Sequence, residues 1–110
     1  MSTIDFKAIK LDKTHARKAV AKIVRESPGN IYFSRHSREE MEKDDLTTGD
    51  IWNVLESSDA RIVDEGELQN GSYRYRLETN FILVVVAFHE NGEGFNIVTV
   101  WDKRRKESKT

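Results

Sequence analysis

With 110 residues, the chain is long enough for one hydrophobic core and too short for two, so a single domain over 1–110 is expected. It has no cysteine, which excludes disulfides, thiolate metal sites and cysteine nucleophiles, and no apolar run of membrane-spanning length. The net charge of −1 hides an asymmetry, with +4 over residues 1–26 and +3 over 101–110 against −5 over 27–60 and −3 over 61–100.

In chain order, "MSTIDFKAIK" lacks the apolar core of a signal peptide, so a cytoplasmic protein of prokaryotic style, without a membrane partner, is expected. "LDKTHARKAVAKIVRES" places Ala16, Ala19, Val20, Ile23 and Val24 on one face at helical spacing, with Lys13, Arg17, Lys18, Lys22 and Arg25 over the remainder. This pattern predicts an amphipathic helix over about 12–26, ended by "SPGN", which holds the only proline. "IYFS" (31–34) reads as a short strand. Two short helices follow, "REEMEK" opened by a capping box Ser37-x-x-Glu40 and "DIWNVLES" opened by Thr47-x-x-Asp50.

From residue 60 the period changes to two, and "ARIVDEG", "SYRYRLE", "FILVVVAFHE" and "FNIVTVWD" read as four strands. Asn91-Gly92 is a hairpin turn signal and Thr79-Asn80 a weaker one. The pleat then assigns Tyr73, Tyr75, Leu77, Val84, Val86, Phe88, Ile97, Thr99 and Trp101 to a packed face. The other face receives Arg74, Arg76, Glu78, Leu83, Val85, Ala87, His89, Asn96, Val98, Val100 and Asp102. Its small apolar middle, bordered by arginines and a histidine, has the composition of a shallow cleft with cationic donors. One extra residue in a loop would reverse the assignment beyond it.

"FSRHSREEMEKDDLTTGDIWNVL", "GSYRYRLETNFILVVVAF" and "IVTVW" together resemble the small prokaryotic domain families grouped with the RelE/ParE-like toxins, including the MqsR type. The resemblance spans about Ile31 to Trp101. It implies an α+β fold with an N-terminal helix and a helix pair packed on one face of a four-to-five-stranded, largely antiparallel sheet. On this division 1–28 is the helical segment, 29–102 the core and 103–110 a basic tail. It also implies a toxin-type, metal-independent ribonuclease whose partners are RNA, free or on the ribosome, and a cognate antitoxin. Some members of that superfamily act on gyrase instead, and a toxin against a non-RNA target is one alternative. Another, favoured by the acidic middle of the chain, is a non-catalytic module of the same fold that binds protein or nucleic acid in the cleft.

Cleaving RNA without a metal requires a base for the 2′-hydroxyl, cations for the phosphorane and an acid for the leaving oxygen. Arg74 and Arg76 point to one side of a strand and suit the cationic role, because a guanidinium matches phosphate oxygens two at a time. The alternative is that they pair with Glu78 or with acids on a neighbouring strand. His36, the histidine of the family's "S-x-H" element, and His89, on the arginine face, are the candidates for proton transfer. Either also fits a plainer role, His36 holding a strand–helix turn and His89 ending a hairpin. Many relatives carry an arginine at the position aligned with Glu40 or Asp44, where this chain has acids, a departure that argues against strong phosphate binding around His36. Lys103, Arg104 and Arg105 would hold flanking RNA phosphates, or form a solvated tail. The histidines lack metal-ligand spacing, and Asp44-Asp45 complements a helix start, so neither a metal nor another cofactor is expected.

Overall fold

The computed structural model describes residues 7, 9–63, 66–69 and 71–104. Helix α1, Lys13–Glu26, starts where Asp12 caps it, its Oδ1 accepting the His15 backbone N–H at 2.8 Å. Ala16, Val20 and Ile23 are its buried stripe. Arg17, on the flank of that stripe, donates to the carbonyls of Ser57 (2.8 Å) and Ala60 (3.1 Å) and so ties α1 to the far end of the helix pair.

A short 3-10 turn, Pro28–Asn30, leads into strand β1, Ile31–Phe33. Helix α2, Arg35–Lys43, follows at once, and α3 spans Thr48–Glu56. The Thr47–Asp50 capping box opens α3 as expected, with both reciprocal bonds formed. The box expected at Ser37–Glu40 does not form. Ser34 caps α2 instead, accepting the Ser37 N–H at 3.0 Å, while Ser37 lies fully buried inside the first turn and donates its hydroxyl to the Ser34 carbonyl. The extended backbone of Ser34, at the strand end, leaves its side chain free to turn back over the helix start, so the helix begins three residues earlier.

The remaining strands are β2 (Arg61–Ile62), β3 (Glu67–Gln69), β4 (Ser72–Glu78), β5 (Ile82–Phe88) and β6 (Phe95–Asp102). They form one mixed six-stranded sheet in the order β1-β6-β5-β4-β2, with β3 also paired to β4. Among the described strands only the β1–β6 pairing is parallel. The three helices cover one face, α2 on β6, α3 on β4 and β5, and α1 on α3 and β2. Tyr75, Leu77, Val84, Val86, Phe88, Phe95 and Ile97 fill the core beneath them. The chain is therefore α+β, as expected, with one strand more than the sequence reading found.

That strand is β3. Its "ELQ" carries a single apolar residue, too little for a periodicity signal, and Gly71 at φ +82° stands in the turn that joins it to β4. The β4–β5 turn is centred one residue later than expected. Thr79 N–H bonds to the Ile82 carbonyl at 3.0 Å, so Asn80 and Phe81 make the turn and Arg76 faces Val85 instead of Leu83. A one-residue move of the turn slides the partner by two, so every side chain keeps its face.

Strand β6 does change faces. Val86 pairs with Ile97 but Val85 pairs with Thr99, leaving Val98 as an extra residue in a β-bulge. Beyond the bulge the expected assignment is reversed. Val100 is fully buried under the helices and Asp102 is buried, while Thr99 and Trp101 move to the open face, where Trp101 is 48% exposed. Trp101 is thus not the core residue that alternation predicts. The position opposite the buried Val84 goes to a valine, which fits there without the strain a large ring would impose.

Candidate nucleic-acid interface

The open face of the sheet holds a cleft of about 300 Å3, lined by Glu67, Gln69, Arg74, Arg76, Leu83, Val85, Thr99 and Trp101. The register builds it row by row. Arg76 lies opposite Val85, which lies opposite Thr99; in the next row Glu78, Leu83 and Trp101 stand side by side. Apolar side chains from β5 with Thr99 and Trp101 make the floor. Arginines from β4 and polar side chains from β3 make the wall.

The wall is internally bonded. Gln69 Nε2 donates to Glu67 Oε1 at 2.7 Å, and Gln69 Oε1 accepts from Arg74 Nη1 at 3.1 Å. Gln69 therefore links a carboxylate to a guanidinium without pairing them directly. Arg74 Nε is buried and has no acceptor, so part of its bonding capacity is unused. Arg76, two residues along on the same side, is exposed. Glu78, the partner that a cross-strand ladder would have given them, is engaged by Lys103 Nζ at 2.7 Å and by Arg61 Nη2 at 3.9 Å.

Arg74 and Arg76 are brought together as the sequence reading expected; the other candidates are not. His89 shares their face but does not line the cleft. Its Nε2 lies 3.0 Å from Asn96 Oδ1 and its ring stacks on Tyr32, with centroids 5.6 Å apart. His36 is exposed in the first turn of α2, which follows the edge strand β1, and does not line the cleft; β6 and β5 separate β1 from β4. Lys103 is held by Glu78 and by the Thr79 carbonyl at 3.0 Å. Arg104 grips Asp102 through Nε and Nη2 at 3.0 and 3.2 Å and lies over the Phe81 ring, in a separate pocket beside α3. Hydrogen bonding to Asp102, and then its charge, raise the Arg104 guanidinium above its ordinary value. Arg105 lies outside the described residues.

Protein-family models, curated proteins and solved structures give no match to this chain. Among the described residues no three His, Asp or Glu side chains are grouped to hold a metal ion, and no helix is long and apolar enough to cross a membrane.

Sequence reasoning missed four cleft residues. Glu67 and Gln69 were hidden with β3, although Asn70-Gly71 is the same turn signal as Asn91-Gly92. Thr99 and Trp101 were assigned to the wrong face because nothing in "FNIVTVWD" marks a bulge at Val98.

Proposed function

We propose that the chain is a non-catalytic RNA-binding module that takes sugar–phosphate backbone into the open-face cleft, with Arg74 and Arg76 as the phosphate clamp. The observation that carries this reading is the pair of guanidinium groups on one side of β4, at the wall of a cleft with an apolar floor. Two forks at that spacing suit adjacent phosphate oxygens. Binding is favoured over cleavage because neither His36 nor His89 reaches the clamp. The cationic supply is also local. Lys18, Lys22 and Arg25 are polar-face residues of α1, which belongs to the helix layer, and Arg104 is turned to Asp102. Affinity should accordingly be modest and strongly salt-dependent.

One observation favours a second reading, the metal-independent ribonuclease of a toxin–antitoxin pair that the RelE/ParE-like resemblance implies. Glu67 puts a carboxylate in the cleft, linked through Gln69 to Arg74. As a base, it would take the 2′-hydroxyl proton while the 2′-oxygen attacks phosphorus. The arginines would stabilise the phosphorane, and the departing 5′-oxygen would take its proton from water.

The test is to titrate labelled RNA in chelator at several salt concentrations, reading anisotropy and fragment pattern together. Binding with a salt slope that falls by about 1.4 in the Arg74→Ala/Arg76→Ala protein establishes the clamp, since each contact to a single strand contributes about 0.7. Fragments ending in a 2′,3′-cyclic phosphate, lost in Glu67→Gln, would establish the second reading in place of the first. Absence of binding at low salt overturns both.

A further inference from the structure

We infer that Trp101 is a base-stacking platform, so that the RNA taken by the cleft is single-stranded; this rests on the reading of Arg74 and Arg76 as a phosphate clamp. Three observations lead there. Trp101 is in the cleft floor, yet 48% exposed, on the face of the sheet that none of the described helices covers. Large aromatic side chains supply the most apolar area a core can bury, and a tryptophan placed half in water forgoes much of that stabilisation.

Its position depends on a specific backbone device. Without the bulge at Val98, Trp101 would turn to the helix face; with it, the indole stands beside Leu83 in the row next to Arg76. Bulges that re-aim a side chain are concentrated beside functional sites. This one is fixed from outside the strand, because Ser34 donates its hydroxyl to the Val98 carbonyl at 3.1 Å and its N–H to the Ile97 carbonyl at 3.0 Å.

The spacing suits one nucleotide. Strands β4 and β6 flank β5, two strand spacings or about 10 Å apart, and the arginines of β4 line the same cleft as Trp101. A phosphate on the β4 side leaves its base over β6, where the indole offers a π-face. The apolar floor of Leu83 and Val85 then lies under the sugar. Base stacking on aromatic rings is tolerant of sequence and requires an unpaired base, because a duplex keeps its base faces inside its own stack. Glu67 and Glu78 on the same face oppose indiscriminate binding of polyanions, leaving the contact dependent on stacking.

Trp52 and Trp101 are the only tryptophans, so a Trp52→Phe protein carries Trp101 as its sole reporter. Short mixed-sequence RNA, single-stranded and annealed to its complement, is titrated at low salt with emission and anisotropy recorded together. The expected result is quenching of Trp101 by the single strand and binding of the duplex at least tenfold weaker. Trp101→Ala should lose about tenfold in single-strand affinity, the scale of one stacked base. Trp101→Phe, which keeps an aromatic face and guards against a folding artefact, should keep most of it. Anisotropy that reports single-strand binding, with emission unchanged and Trp101→Ala as tight as its parent, overturns the stacking inference and leaves the clamp standing. No binding of either form overturns the clamp, and the inference with it.

Discussion

The hydroxyl of Ser34 joins the bulge carbonyl of Val98 to the start of a helix. Its Oγ donates to Val98 O at 3.1 Å and accepts from the Ser37 N–H at 3.0 Å, so one side chain both caps α2 and satisfies a carbonyl at the bulge. A serine hydroxyl has one donor and two acceptor sites, and both roles are in use here. Ser34→Ala should cost about 1–3 kcal/mol, combining a lost cap with an unpaired acceptor. Ser34→Asp separates the two. Aspartate caps as well as serine but has no proton to give Val98, so it should recover only the helix share. Urea unfolding of the three proteins measures this, and equal stability of Ser34→Asp and wild type would show that the Val98 bond contributes nothing.

Gly66 stands at φ +95°, and a Cβ there would lie 2.8 Å from Cε1 of the Tyr75 ring. That ring has no room to retreat. Tyr75 is fully buried, packs against Phe88 at 5.5 Å between centroids, and accepts the Leu11 N–H at its hydroxyl. Gly66→Ala combines backbone strain with overpacking and should destabilise the fold by about 3 kcal/mol. A denaturation midpoint unchanged from wild type would mean that β3 and its approach are free to move away from β4.

These two sites also mark where the sequence was readable. Helices α1 and α3 follow from 3.6-residue periodicity and, for α3, from a side chain three residues from its partner, all of it local. The faces of β4 and β5 follow from alternation, and survive a misplaced turn because the slip between them is an even number of residues. Alternation fails at Val98, since one unpaired residue reverses every side chain after it and the cause, a hydroxyl from residue 34, is remote in sequence. The arginine pair was legible because both members are on one strand. The rest of the cleft was not, because Glu67 and Trp101 reach it through a three-residue strand and a bulge, neither of which has a periodic signal.

Asp12 gives the acid side of the stability profile a definite sign. Its carboxylate is held below the ordinary value of 3.8, chiefly by the His15 backbone N–H and next by the His15 side chain, with burial opposing weakly. A group depressed in the fold contributes stability above its unfolded pKa and loses it as pH falls through its folded pKa. Asp12→Ala should therefore lower the urea midpoint at neutral pH, and the gap to wild type should close as pH drops below 3.8. A gap that persists unchanged to about pH 2 would mean that the carboxylate charge is not the source of the cap.

Glu78 controls how much positive charge the open face presents. Its carboxylate is largely buried and holds Lys103 Nζ at 2.7 Å, with Arg61 Nη2 farther off at 3.9 Å. Glu78→Gln keeps the shape, removes one negative charge beside Leu83 and Trp101, and loosens the hold on Lys103. Stability should fall by about 1 kcal/mol, because the ammonium loses a charged partner but keeps the Thr79 carbonyl. RNA affinity should move the other way, rising severalfold at low salt with a salt slope steeper by up to about 0.7 if Lys103 gains a phosphate. The two measurements belong together. Weaker RNA binding in a variant that is still folded would place the polyanion away from this end of the sheet, and with it the role expected of Lys103.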